Sequence, residues 1–218
     1  MQVQLALDLL DPEQALSVVE QVHDVVDIIE VGTSLLKLSG IAIVDQIREI
    51  APDAPIFVDA KIIDGPQREA DLMAECAPRY YSMLAVAADT AVSRVLETAG
   101  RTGSEVVFDL QSVADPARRA QELVALGATA LCVHKNTDHG GAPADSFADV
   151  LAVRAAGATK VSVAGGISTQ SLPLIDVAVA PDIVIIGGAI LAAPDPRAAA
   201  LEFRALATGS PSTLQSTQ

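Results

Sequence analysis

Short apolar runs alternate along the chain with longer stretches of helical periodicity. Gln2 to Asp8 alternates apolar and polar positions and closes on an acid, the pattern of a strand. Asp11-Pro-Glu13 then carries a helix start: an N-cap acid, proline at the first helical position and a further acid in the first turn. The same order recurs. Strands are predicted at Asp27 to Val31, at Ile56 to Val58 closing on Asp59 and Lys61, at Tyr80 to Val86 and at Glu105 to Leu110. Further strands are predicted at Ala130 to His134, Lys160 to Ala164 and Asp182 to Ile186. Helices are predicted from Gly40 to Ala51, from Pro66 to Ala77, after a cap at Asp89, after Asp115-Pro116, and from Asp195 to Leu206.

The strand ends fall at Asp8, Glu30, Asp59, Leu84, Asp109, His134, Gly165 and Gly187, with one strand–helix unit to each interval and eight in all. Eight such units joined by short loops predict an α/β fold, a closed (β/α)₈ TIM barrel. An open doubly wound sheet would have fewer strands and a glycine-rich turn after its first. Here the glycine-rich turns follow the last two strands. No linker or composition break interrupts residues 1–207, which are expected to form a single domain. The stretch 208–218 is rich in Ser, Thr, Gln, Gly and Pro, and is expected to be a disordered tail.

Composition narrows the function classes. Half of the 218 residues are apolar but only 3% are aromatic. Ala, Val, Ile and Leu must therefore fill the core, as in parallel strands buried on both faces. A net charge of −14 argues against nucleic acid and anionic membranes as partners, since each needs clustered Lys and Arg. It leaves room for a phosphorylated small molecule, which backbone amides bind locally. Cys76 and Cys132 lie far apart with no CxxC or zinc spacing, and are expected to be small buried core residues. No apolar run reaches membrane-spanning length, and the first strand starts at once with no charged leader. A cytoplasmic enzyme is the expectation.

In a barrel of this kind every strand points its carboxyl end at one face, so Asp8, Glu30, Asp59, Lys61, Asp109 and His134 are predicted to ring one pocket. Asp59 and Lys61, two apart on a strand, emerge on the same side, and Asp64 follows. A lysine held between carboxylates keeps its proton and becomes a fixed positive donor. The competing reading, a surface salt-bridge cluster, is common and contributes little. Glu30 and Asp59 on adjacent strands suit a hard ion such as Mg²⁺, completed by substrate oxygens and water. His134 faces these acids and reads as a substrate contact, while Asp109 hydrogen-bonds at the barrel mouth. Gly165-Gly166 and Gly187-Gly188 each open the turn from a strand into a helix, where amides can approach a phosphate closely.

These residues carry a resemblance. Asp59-Ala-Lys61-Ile-Ile-Asp64 matches the D-x-K-x-x-D motif of the orotidine monophosphate decarboxylase suprafamily. Leu5-Ala-Leu-Asp8, the run Val26 to Thr33, Val107-Phe-Asp109, Val133-His134, Val163 to Ile167 and Ile186 to Ile190 resemble its 3-hexulose-6-phosphate synthase branch. The 3-keto-L-gulonate-6-phosphate decarboxylases are close relatives, and the likeness runs from residue 2 to about 206. The resemblance implies a Mg²⁺-dependent homodimer acting on a ketose phosphate through a metal-stabilised enediolate. In the synthase reaction ribulose 5-phosphate condenses with formaldehyde to give arabino-3-hexulose 6-phosphate. By the same resemblance Glu30 and Asp59 would hold Mg²⁺, and Lys61 would hydrogen-bond the enediolate oxygen. Asp64 would reach into the neighbouring subunit's site and His134 would shuttle the proton. His134 and Asp64 both stand as bases for the C1 proton. Asp8 would bind substrate hydroxyls, with Thr33 and Asp109 beside it.

The decarboxylases carry two arginines where this chain has Thr137 and Gly188, which favours the synthase reading. Lys135 and Asn136 put a bulky charge where the synthases have small residues, and Arg79-Tyr80-Tyr81 replaces the usual Gly-Ala-Asp before the fourth strand. A decarboxylase or another ketose-phosphate lyase is the enzymatic alternative. A non-catalytic sugar-phosphate-binding protein is the alternative of a different class.

Overall fold

The computed structural model describes residues 1–135, 143–175 and 180–209, and no side chains of residues 143–148. Eight parallel strands close in chain order: β1 (Gln2–Leu7), β2 (Ile28–Val31), β3 (Ile56–Ile62), β4 (Tyr80–Leu84), β5 (Glu105–Asp109), β6 (Ala130–His134), β7 (Lys160–Ala164) and β8 (Ile183–Ile186). β8 pairs back onto β1 through Val3↔Val184 and Leu5↔Ile186, which closes the (β/α)₈ barrel. The helices are α1 (Pro12–Val22), α2 (Thr33–Ser39), α3 (Ala42–Ile50), α4 (Pro66–Cys76), α5 (Asp89–Thr102), α6 (Pro116–Ala125), α7 (Pro143–Ala155), α8 (Gly188–Leu191) and α9 (Pro196–Thr208).

The helix starts follow local chemistry. Asp11 accepts hydrogen bonds from Glu13 and Gln14 N–H, Asp115 from Arg118 N–H and Asp195 from Ala198 N–H, each with proline at the start of the helix. Asp89 departs from the expected cap. Ala88 occupies the cap position with no side-chain bond, and Asp89 sits in the first turn paired with Arg119 at 2.7 Å.

Strand alternation divides the core in two. Outward residues such as Leu5, Val31, Val58, Met83 and Phe108 pack with the helices in one large cluster. Inward residues Ile28, Phe57, Tyr80, Val107, Ala130, Cys132, Ala164 and Ile183 fill the barrel. Cys76 and Cys132 are both free and buried, as expected. Near the bottom, Lys160 pairs with Glu105 at 2.6 Å and lies 4.7 Å from the Tyr80 ring, with the Arg79 guanidinium 5.1 Å from the same ring. The Arg79-Tyr80-Tyr81 entry to β4 therefore serves packing.

Three further differences from the sequence reading bear on the site. β3 runs on to Ile62 and carries Asp59 and Lys61 within it. The turn after β7 leads, among the described residues, only into a 3₁₀ turn at Leu172–Leu174 and not into an α-helix. α9 extends to Thr208, while most of the expected tail lies outside the described residues, as do Asn136 and Thr137.

Candidate active site

A cavity of about 630 Å³ opens at the carboxyl ends of the strands. It is lined by Asp8, Glu30, Thr33, Asp59, Lys61, Asp109 and His134, and by Gly165, Gly166, Gly187 and Gly188. The barrel thus brings together every singled-out site residue except Asp64. That residue is exposed and its carboxylate accepts from Gly65 N–H beside it, outside the cavity lining.

Lys61 is the cationic side chain at the centre. Its Nζ lies 2.8 Å from Asp109 Oδ2, and 3.1 and 3.0 Å from the two Asp59 oxygens. The second acid clasping the lysine is therefore Asp109, two strands away, and not Asp64. Burial works against the ammonium charge, but Asp59 and Asp109 more than offset it and raise the Lys61 pKa. The lysine stays charged through the whole working pH range.

Asp109 is the hub. Oδ2 also meets His134 Nδ1 at 2.9 Å, while Oδ1 accepts from Gln111 N–H at 2.8 Å. Burial pushes its carboxyl up, but the bonds and charges of His134 and Lys61 prevail and hold it at about 2. An ionised carboxylate only accepts, so Nδ1 of His134 carries the hydrogen and Nε2 is left as the basic nitrogen. In Asp59, Oδ2 accepts from Thr33 Oγ1 at 2.6 Å and Oδ1 from Ser82 Oγ at 2.7 Å.

Beside this ordered group, burial and then neighbouring charge disfavour ionisation of the remaining acids, Glu30 and Asp8. Glu30, 6% exposed, is raised well above the ordinary carboxylate value, first by burial and then by the charges of Asp59 and Asp8. Gln4 Nε2 donates to its Oε2 at 2.6 Å and pulls the other way. Asp8, open to solvent at the rim, is raised by the partial burial of its carboxyl and then by Asp59. Its carboxylate lies so close to Gly32 that a Cβ there would run into Oδ1. Carboxylates crowded against one lysine form a donor set suited to a hard divalent cation. Among the described residues no three His, Cys, Asp or Glu side chains group to hold an ion alone. Glu30 and Asp59, which line the cavity from adjacent strands, are the pair whose oxygens would suit Mg²⁺ there.

Lys135 does not crowd the cavity. Its Nζ pairs with Asp149 Oδ2 on α7 at 2.7 Å, outside the lining. Gly165 holds φ 108°, and a Cβ built there would collide with the Lys135 carbonyl oxygen. Close packing of the β6 and β7 ends therefore requires glycine at this position.

Residues 1–203 match the family model described as the orotidine 5'-phosphate decarboxylase / HUMPS family. A 3-hexulose-6-phosphate synthase from Mycobacterium gastri is 35% identical over 205 residues, covering 94% of this chain and 99% of that protein. The chain belongs to this family. Among solved structures, 3-hexulose-6-phosphate synthase from Salmonella typhimurium superposes with a TM-score of 0.90 at 35% identity, covering 96% of this chain and 99% of its own. The 3-keto-L-gulonate-6-phosphate decarboxylase of Vibrio cholerae, 24% identical, shares the fold with a TM-score of 0.84 over 95% of this chain and 97% of its own. The fold and relatives of this family member are those of a carbon–carbon lyase.

Gln4, Ser82 and Gln111 were not apparent from the sequence as parts of the site. Gln4 and Ser82 are polar residues at inward positions in the middle of their strands, and that parity was the available signal. Gln111 lies in the turn beyond β5, where alternation no longer tells inside from outside.

Proposed function

We propose that this chain is a Mg²⁺-dependent aldolase that joins ribulose 5-phosphate to formaldehyde, giving arabino-3-hexulose 6-phosphate. The observation that carries the reading is the Asp59–Lys61–Asp109–His134 chain of contacts, every link between 2.8 and 3.1 Å. It sets a permanent cation beside an imidazole whose basic nitrogen has no partner among the described residues. The relatives named as 3-hexulose-6-phosphate synthases support the choice of substrates.

In this mechanism the glycine turns after β7 and β8 receive the phosphate, and Asp8 holds sugar hydroxyls. His134 Nε2 takes the C1 proton of ribulose 5-phosphate. Lys61 donates to the oxygen that gains negative charge, an oxyanion-hole arrangement. The C1 carbanion equivalent then bonds to the formaldehyde carbon, and the proton held by His134 passes to the former aldehyde oxygen. Glu30 and Asp59 would hold the Mg²⁺ ion, which when bound supplies positive charge next to the sugar oxygens. Asp64, exposed at the end of β3, is available to the site of a second copy in a homodimer.

No arginine is among the described residues lining the cavity, in keeping with the synthase reaction over decarboxylation of a hexonate. The test is incubation with Mg²⁺ and ribulose 5-phosphate, with and without formaldehyde, while hexulose phosphate is followed. Formaldehyde-dependent product is expected. Release of CO₂ from 3-keto-L-gulonate 6-phosphate without condensation would overturn the assignment, and binding without turnover of either substrate would make the chain a sensor.

A further inference from the structure

β3 does not run evenly along β4. Phe57 pairs with Tyr80 and Val58 with Tyr81, and pairing resumes only at Ile62 with Met83. Asp59, Ala60 and Lys61 thus stand opposite the single residue Ser82. Because the arch adds two residues and not one, alternation survives it: Asp59 and Lys61 both face the cavity, and Ile62 returns to the outer core. The arch places Lys61 at φ 46°, in the left-handed region that a residue with a Cβ seldom adopts.

Ser82 lies under this arch, 1% exposed. Lys61 N–H donates to Ser82 Oγ at 2.8 Å, and Ser82 Oγ donates to Asp59 Oδ1 at 2.7 Å. A hydroxyl has one hydrogen, so with Lys61 N–H directed at its oxygen, that hydrogen goes to Asp59. One buried oxygen thereby bonds both the left-handed backbone of Lys61 and the Asp59 carboxylate, whose other oxygen accepts from Thr33. Strain of this kind persists only where the surroundings over-determine it. Among the described residues, Ser82 is the one on β4 that hydrogen-bonds both ends of the arch.

We infer that Ser82 is a positioning residue of the reaction, acting through Lys61 and Asp59. For its effect on turnover the inference rests on the aldolase reading. For its effect on the backbone it rests on the geometry of β3 and β4 alone. Ser82→Ala removes both hydrogen bonds, and Ser82→Thr keeps the hydroxyl. The alanine variant is expected to lower kcat by about 10–100-fold while KM for ribulose 5-phosphate hardly changes, and the threonine variant to recover most of the loss. A crystal structure of Ser82→Ala is expected to show Lys61 leaving the left-handed region. Should Ser82→Ala not fold, Ser82→Cys, a weaker hydrogen-bonding group of similar size, takes its place in both measurements. Wild-type kcat in the alanine variant, or an equal loss in the threonine variant, overturns the inference. If the wild-type chain shows no condensation at all, the aldolase reading fails separately. The structure then decides: an unchanged Lys61 backbone refutes the role of Ser82, and a relaxed one sustains it.

Discussion

His134 Nδ1 lies 2.9 Å from Asp109 Oδ2 and is held there as the protonated nitrogen of the ring. The same oxygen receives Lys61 at 2.8 Å, so one carboxylate sets both the tautomer of the base and the place of the cation. Asp109→Asn puts a neutral group, which can present its amide N–H₂ to these donors, in place of the carboxylate. The expected result is a kcat lower by about 10²–10⁴-fold, the range of a lost acid–base function. Steady-state kinetics check it, and a variant with near-normal kcat would refute the role given to Asp109.

The same residue predicts a pH response in stability. Asp109 sits at about 2 in the folded chain, against about 3.9 in an unfolded one. Its pKa is depressed on folding, so its stabilisation is present above the unfolded value and is lost as pH falls from about 4 through about 2. The amount is about 2–3 kcal/mol. Asp24, held at about 2 by exposed Arg197, titrates in the same window, so the comparison is wild type against Asp109→Asn. Urea midpoints of the metal-free proteins between pH 5 and pH 2 are expected to fall less steeply for the variant. Parallel slopes would contradict the assignment.

Glu30 has the opposite sign. Its raised pKa means that the unfolded chain ionises first, so the burial of its carboxylate, with the charges of Asp59 and Asp8 beside it, penalises folding increasingly as pH rises above the ordinary value. Glu30→Gln is expected to raise the Tm of the metal-free protein, by about 2–4 °C for each kcal/mol relieved. It should also abolish Mg²⁺-dependent activity. Added Mg²⁺ is expected to raise the wild-type Tm and leave that of the variant unchanged. Thermal melts with EDTA and with Mg²⁺ decide the matter.

Gly165→Ala would force a Cβ into the Lys135 carbonyl oxygen at a φ of 108°. The expected cost is about 1–3 kcal/mol, with KM for the sugar phosphate rising because the turn after β7 shifts. Chemical denaturation and kinetics measured together test this. Unchanged stability and KM would show that the turn adapts freely.

The barrel was legible because each strand is an apolar run and three of the helices open on a capping aspartate followed by proline, at Asp11, Asp115 and Asp195. α2 was not, since Gly32 provides no side-chain cap and the helix has only seven residues. Membership of the site was legible from strand ends, but its wiring was not. Lys61 looks toward Asp64 in sequence, whereas β5 supplies the acid that clasps it, and sequence spacing carries no information on reach across the barrel. The arch in β3 was hidden for a related reason: a two-residue insertion preserves alternation, so Ile56 to Ile62 reads the same with it or without it.

Lys61 is the cation that allows charge to develop at the sugar in this mechanism, and proton exchange at C1 tests its role without formaldehyde. In D₂O with Mg²⁺ and ribulose 5-phosphate, NMR is expected to show deuterium entering C1 with the wild-type chain. With a folded Lys61→Ala variant the rate is expected to be lower by about 10²–10³-fold. Exchange at the wild-type rate in that variant, or no exchange with the wild-type chain, would contradict the account.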